Sequence, residues 1–265
     1  MISGEKMAQI IRVLYGEFYP KMWKEVHFSL MPDEQTVPEF ADYARNEIVY
    51  YVLGWTNGQI LRQAGAKNVV VVDHMKKTLN EAQQAKIGHF YNKTYLIQKA
   101  MEDHKEILCL DYDAICVKYP DQHMWDLVSS KFGKFDGEFK CPAVRYKRRL
   151  GTTTTNGGLR EWSRQSEPKH SLRIALNTCA LYCSNKDWID GWEESFHDHP
   201  TATPPNGGGE AILMYYLDKR NGLMSIDELV DNFENPILAL GRGVGGLMKS
   251  VKKTKKEEDI YFYHI

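Results

Sequence analysis

The chain lacks any long apolar run. No window approaches the roughly 18 consecutive apolar residues that a membrane-crossing helix needs, so no transmembrane span is expected. It also lacks an excess of either charge. Lys and Arg number 34 against 35 Asp and Glu, a formal net charge of −1, so the whole-chain balance implies no partner. Cysteine is scarce: five residues, Cys109, Cys116, Cys141, Cys179 and Cys183, share no short repeated spacing. Three sit inside apolar runs, which suits reduced, buried thiols better than a disulfide framework. Cys179 and Cys183 with His197 and His199 do not form the usual spacing of a structural zinc site. There is no internal repeat. The opening MISGEKMAQIIRVLYGEF has no basic start followed by an apolar stretch, so no signal peptide is expected and the location read from the sequence is cytoplasmic.

What is present suits a globular protein. The 265 residues are 43% hydrophobic and 26% charged, enough for a sizeable core. One continuous domain of two halves is expected, residues 1–120 and 121–265. In the first half, AQIIRVLYGEF (8–18) reads as a strand ending at Gly16, and EIVYYVLGW (47–55) as a second closed by Gly54. TNGQILRQAGA (56–66) reads as a helix with Thr56 as N-cap. NVVVVD (68–73) reads as a fully buried, parallel strand, and NKTYLIQKAMEDH (92–104) as a helix with Tyr95, Leu96, Ala100 and Met101 at helical spacing. EILCLDYD is then the next strand. This alternation predicts an α/β fold, a mostly parallel central sheet flanked by helices, with ligands at the strand carboxyl ends.

The second half is less regular. SLRIALNTCALYCS (171–184) is strand-like around the polar Asn177-Thr178. TATPPNGGGEAILMYYLDKRNG (201–222) joins a Pro/Gly-rich loop to a helix starting near Glu210 and stopping at Asn221-Gly222. The last residues, IYFYHI, read as a short strand.

Asp111 and Asp113 stand at the end of the apolar run Ile107–Leu110. If the strand continues, residues i and i+2 share a face, so the two carboxylates converge and repel one another unless a cation sits between them. A hard divalent ion, Mn²⁺ or Mg²⁺, suits such a pair and can hold a diphosphate.

The stretch NKTYLIQKAMEDHKEILCLDYDAICVKYP (92–120) resembles the central segment of GT-A glycosyltransferases, in which a helix bearing Lys or Arg precedes an apolar strand ending in D-x-D. The nearest likeness is to the retaining galactosyl- and glucosyltransferases of the glycogenin type. ALNTCALYCSNKDW (175–188) is similar to that family's "fNsGvml" strand, NGGGEAILMYYL (206–217) falls where the family has a loop-to-helix acid motif, and YFYHI ends where many members carry a third metal ligand. The ordered set spans residues 92 to 264. The resemblance implies a UDP-sugar donor held through Mn²⁺ or Mg²⁺. Asp113 and His264 would bind the metal, and Asp111 the metal and the ribose. Tyr15, Gly16, Glu17 and Asp73 would line the nucleoside, and Lys93 would reach the phosphates. Asn177 and Glu210 would face the sugar and acceptor. Two departures stand out. Three glycines, rather than "LPDQ", precede Glu210. No Lys follows His264, so the family's last phosphate contact is absent or comes from Lys252 to Lys256.

Charge is nevertheless unevenly placed. Residues 145 to 173 hold eight Lys or Arg against two Glu, +6 in a chain whose total is −1, with Tyr146 and Trp162 interleaved. Arg145, Lys147, Arg148, Arg149, Arg160 and Trp162 are the candidates for phosphate-backbone contact. This points to DNA as acceptor, as in the glycosyltransferases with which some bacterial viruses decorate hydroxymethylated bases. A glycan or protein acceptor is the alternative. Two other readings compete. ILCLDYDAI also resembles the nucleophile motif of haloacid-dehalogenase-type phosphatases, but that family places it near the amino terminus. A non-catalytic nucleic-acid-binding module would use residues 145–173 and leave Asp111 and Asp113 unexplained.

Overall fold

The computed structural model describes residues 8–15, 38–73, 81–111, 114–116, 119–131, 133–135, 138–141, 143–145, 174–176, 178, 180–198, 212–213, 216, 238–240 and 262–264. Four strands carry the first half: β1 (Gln9–Leu14), β2 (Val49–Leu53), β3 (Asn68–Val72) and β4 (Ile107–Asp111). The first three are rich in β-branched or aromatic residues, which favour the pleated, packed surface of a sheet, and β4 is the apolar run ILCL ending in Asp111. All four run parallel, with Ile11 opposite both Val49 and Cys109, and Val52 opposite Val71.

From the second half come β5 (Ala114–Cys116), β6 (Gly133–Phe135), β7 (Phe139–Cys141), β8 (Ala143–Arg145), β9 (Ile174–Leu176), β10 (Ala180–Cys183), β11 (Leu238–Leu240) and β12 (Phe262–His264). Among the described residues the main sheet has seven strands in the order β3-β2-β1-β4-β10-β7-β6. β10 is antiparallel to β4 and β7 antiparallel to β10, so β7 again points along β4. The protein is thus α/β with a mostly parallel sheet, as the alternating pattern predicts. Two small sheets flank it, β11-β12-β5 and β8-β9.

The helices are α1 (Pro38–Asn46), α2 (Trp55–Gln63), α3 (Glu81–Asp103), α4 (Gln122–Lys131) and α5 (Asp187–Asp198). They cover both faces. Because strand side chains alternate, Ile11, Val13, Tyr51, Leu53, Ile107, Cys109 and Leu181 pack on one side, against Leu96, Ile97 and Ala100 of α3 and Trp188, Trp192 and Phe196 of α5. Ile10, Leu14, Tyr50, Val52, Leu108 and Leu110 pack on the other, against Ala44, Leu61, Met124 and Val128. Apolar contact on both sides is why these strands read as continuous apolar runs.

Several sequence expectations change. β3 is not fully buried: Val69, Val70 and Val71 are half-buried, because β3 is the outermost strand and pairs in the sheet only with β2. α2 begins at Trp55, with Gly54 rather than Thr56 at the N-cap and no side-chain cap bond. Gly54 has φ 81°, a conformation glycine adopts without the Cβ penalty, and its N–H bonds to Val72 O at 3.1 Å. α3 starts eleven residues before the expected Asn92. The single strand expected over 171–184 is two, β9 and β10, in different sheets. No described helix is long and apolar enough to cross a membrane.

Candidate functional site

The carboxyl ends of β1 to β4 form one edge of the sheet, and the residues that follow them are Tyr15, Gly54, Asp73 and Asp111 at or just past each end. Asp111 has the parity of Ile107 and Cys109, so its side chain lies on the face covered by α3. Lys93 lies on α3 three, four and seven residues before Leu96, Ile97 and Ala100, the stripe that packs on that face. The two therefore meet. Lys93 Nζ lies 2.5 Å from Asp111 Oδ1, with side-chain exposures of 3% and 13%.

The same ammonium donates to Thr178 O at 2.8 Å and Thr178 Oγ1 at 3.0 Å. Three protein oxygens thus surround one ammonium, two accepting hydrogen bonds and one in an ion pair. Thr178 lies between β9 and β10, so Lys93 joins the end of β4 to the connection between those strands. Beneath it, the Tyr15 ring centroid is 5.9 Å from Nζ, and Asn92 Nδ2 donates to Tyr15 O at 3.3 Å. Breaking a buried pair of this kind by removing one partner costs about 3–5 kcal/mol, since the other charge is left in a dry site. The Cys109 thiol, one pleat below Asp111, is pushed well up from its ordinary range by burial, against a lowering influence of Lys93.

The chain leaves the main sheet after Asp111. Ala114 opens β5, which pairs instead with β12, so the expected single extended D-x-D strand is divided between two sheets. In that register His264 is the cross-strand partner of Ala114, which follows Asp113 in the sequence. The side chains of Asp113 and His264 lie outside the described residues. Among described side chains, no cluster of three or more His, Cys, Asp or Glu could hold a metal. By donor chemistry, two carboxylates and an imidazole fit a hard divalent ion; of the three side chains only that of Asp111 is described, and one of its oxygens faces Lys93.

The other expected residues divide as follows. Asp73 is exposed and follows β3, three strands away from β4 in the order β3-β2-β1-β4. At roughly 4.8 Å per strand that is about 14 Å, so Asp73 and Asp111 share an edge and not a contact. Arg145 ends β8 opposite Ile174 of β9. Gly16, Glu17, Asn177, Glu210, Lys147, Arg148, Arg149, Arg160 and Trp162 lie outside the described residues. Two neighbours locate them along the chain. β9 leads through Leu176 to Thr178 at the Lys93 ammonium, so the stem of the basic segment adjoins the site. Ile212, Leu213 and Tyr216, the helical residues after Glu210, are buried in the α3–α5 core.

α3 is held at its height on the sheet by α5. Tyr91 OH donates to Glu193 Oε1, and Gln98 Nε2 to Asp190 Oδ1 at 2.9 Å. His197 Nε2 lies 3.4 Å from Glu193 Oε1, and Cys183 Sγ donates to Asn185 O at 3.1 Å. Sequence reading overlooked Thr178 as Lys93's partner. The usable signal was Lys93's place on the apolar stripe of α3, where a lysine needs a buried partner.

No family model matches the chain, and no curated protein matches it. Among solved structures, similar folds include core-mannan synthase A from Aspergillus fumigatus in its Mn/GDP form, with 8% identity, TM-score 0.45, and 82% of this chain and 71% of that one covered. Mouse xyloside xylosyltransferase 1 in its apo form is 9% identical with TM-score 0.44, covering 97% of each chain. A glycosyltransferase involved in glycosylation of the major capsid of PBCV-1 is 10% identical with TM-score 0.43, covering 98% of this chain and 93% of that one. The architecture described above rests on the strand order and register of the chain itself.

Proposed function

We propose that the chain is a metal-dependent glycosyltransferase that moves a sugar from a UDP-sugar to an acceptor hydroxyl. The observation that carries this reading is the pairing of β12 with β5, which sets His264 beside the residue that follows Asp113 while Asp111 ends β4. Asp111, Asp113 and His264 would hold Mn²⁺ or Mg²⁺, which when bound neutralises charge developing on a leaving diphosphate. The carboxyl edge of β1 to β4, from Asp111 past Tyr15 toward Asp73, is where an α/β sheet takes a nucleotide. Lys93 serves this site by fixing Asp111 and Thr178, and Asn177 and Glu210 are assigned to the sugar and acceptor side.

The acceptor we propose is polyanionic, and a hydroxymethylated base in DNA is the specific candidate. The excess of +6 in residues 145–173, with a stem adjoining Thr178, supports it. Location in the cytoplasm goes with that acceptor.

The test is thermal unfolding with UDP, with and without Mn²⁺. Ligand that binds only the native state raises the midpoint, so UDP with Mn²⁺ should raise it and UDP alone should not. Asp113→Ala should abolish the shift. No shift in the wild type under either condition would overturn the reading. Metal-dependent hydrolysis across a panel of nucleotide-sugars then names the donor.

A further inference from the structure

We propose that a cleft at the amino edge of the sheet docks an arginine side chain presented by a peptide segment of another protein. The cleft has a volume of about 470 Å³ and is lined by Asp42, Tyr43, Asn46, Glu47 and Tyr119. The first four close α1 and lead into β2, and Tyr119 stands three residues before α4. Glu47 precedes β2 while Asp111 ends the parallel strand β4, so the cleft lies at the opposite end of the strands from Asp111. Its floor is pinned. Tyr43 O accepts from Glu47 N at 2.8 Å, Arg45 O from Lys67 N at 2.9 Å, and Glu47 O from Gln9 Nε2 at 2.9 Å. The two tyrosine rings meet edge-on with centroids 5.1 Å apart, yet Tyr119 remains 54% exposed. An aromatic wall already held in place costs little ordering when a ligand arrives.

The lining is rich in acceptors and poor in donors. Asn46 Nδ2 already donates to Asp42 O at 2.8 Å. Asp42 Oδ1 accepts from Arg45 at 2.6 Å, which leaves its second oxygen. The exposed Glu47 carboxylate has no hydrogen-bond or ion-pair partner among the described residues. Both acids stand in or just past the last turn of α1, the negative end of the helix dipole. A phosphate is repelled there. A sugar, whose hydroxyl oxygens also seek donors, is poorly matched. A guanidinium has five donors and no acceptor, stacks on aromatic faces and pairs bidentately with a carboxylate. An ammonium is a compact point charge that lacks the stacking. Each of these contacts is weak at an exposed site, so the occupant is a side chain carried by a larger partner rather than the free amino acid.

The experiment is fluorescence anisotropy of a labelled peptide, three repeats of Arg-Gly-Ser, titrated with the full chain at low salt beside its Lys-Gly-Ser twin. The arginine peptide should bind, and the lysine peptide about threefold less tightly. Tyr119→Ala and Glu47→Gln should each weaken the arginine peptide by about three- to fivefold, and together by about tenfold. Both positions are exposed, so the urea midpoints should match the wild type. Glu194→Gln removes an equal charge from an exposed position on α5 and should leave the affinity unchanged. An arginine peptide that does not bind, or that binds the Tyr119→Ala and Glu47→Gln chains as well as the wild type, overturns the proposal. Displacement of the peptide by neutral maltohexaose would assign the cleft to a glycan and overturn it too. So would concentration-dependent self-association of the wild type, lost in Tyr119→Ala by sedimentation velocity, which would make a second copy the occupant. No readout involves a nucleotide, so the proposal stands or falls apart from the donor reading.

Discussion

Tyr216 fills the space where Gly191 has no side chain. A Cβ built on Gly191 would stand 2.4 Å from Tyr216 Cε2 and 2.5 Å from its Oη. The ring also meets Trp188 edge-on, with centroids 6.2 Å apart. This contact docks the helical residues that follow Glu210 onto α5.

Gly191→Ala should therefore destabilise the fold. Alanine is the better helix former by about 1 kcal/mol, but the overlap is with a buried ring that cannot fold away. Overpacking of this kind costs about 1–3 kcal/mol, so a net loss is expected in the urea midpoint. If the proposed function holds, glycosyl transfer should fall further than stability alone explains, because Tyr216 follows Glu210 by six residues in the chain.

The Lys93–Asp111 pair should show strong thermodynamic coupling. Asp111→Ala and Lys93→Met should each cost about 3–5 kcal/mol, since each strands a charge in a buried site. The double variant should cost less than their sum by about 1–3 kcal/mol, read from denaturant unfolding of all four proteins. Strict additivity would mean that the contact contributes nothing specific.

Stability should decline in alkali. Burial pushes the Cys183 thiol up from an ordinary 9.0 to about 12, partly offset by a backbone hydrogen bond from Asn185. A group whose pKa rises on folding holds its proton better in the native chain. Its contribution is then full below pH 9.0 and is lost as pH climbs toward 12. Cys109 and the Tyr51 hydroxyl, raised first by burial and then by its bond to Asp103, act in the same direction. The urea midpoint should fall between pH 9 and 11, and Cys183→Ala should flatten part of that fall.

Binding of DNA should weaken steeply with salt. Each phosphate neutralised contributes a slope of about −0.9 in the logarithm of affinity against the logarithm of salt concentration. Arg148→Glu with Arg149→Glu should make the slope shallower by about 2 and leave the urea midpoint unchanged. A fluorescence anisotropy titration at several salt concentrations reads both quantities, and binding indifferent to salt would overturn DNA as acceptor.

The first half of the fold was legible because β1, β2 and β4 are buried on both faces and so appear as apolar runs: VYYVL and ILCLD need no other label. The carboxyl-edge position of Asp111 followed from the same pattern. The departure of the chain into a second sheet at Ala114 did not, since β5 has only three residues and no turn signal marks the break. Strand order is also invisible along the chain. Asp73 and Asp111 both end strands, and only the arrangement β3-β2-β1-β4 separates them. The division of 171–184 was hidden because Asn177-Thr178 read as a polar pair within one strand, when Thr178 is the anchor for Lys93. Lys93 itself was assigned to phosphate by likeness, while its helical phase already committed it to the interior.

The ladder pair Arg145–Ile174 brings together the two ends of a 28-residue stretch, 146–173. Because the cost of closing a loop grows only with the logarithm of its length, a segment pinned this way can be shortened, lengthened or exchanged at little expense to the sheet beneath it. Under the proposed function, donor handling and acceptor choice would then be separable modules on one chassis. Transplanting a foreign stretch between residues 145 and 174 should retarget the sugar without redesigning the machinery that delivers it.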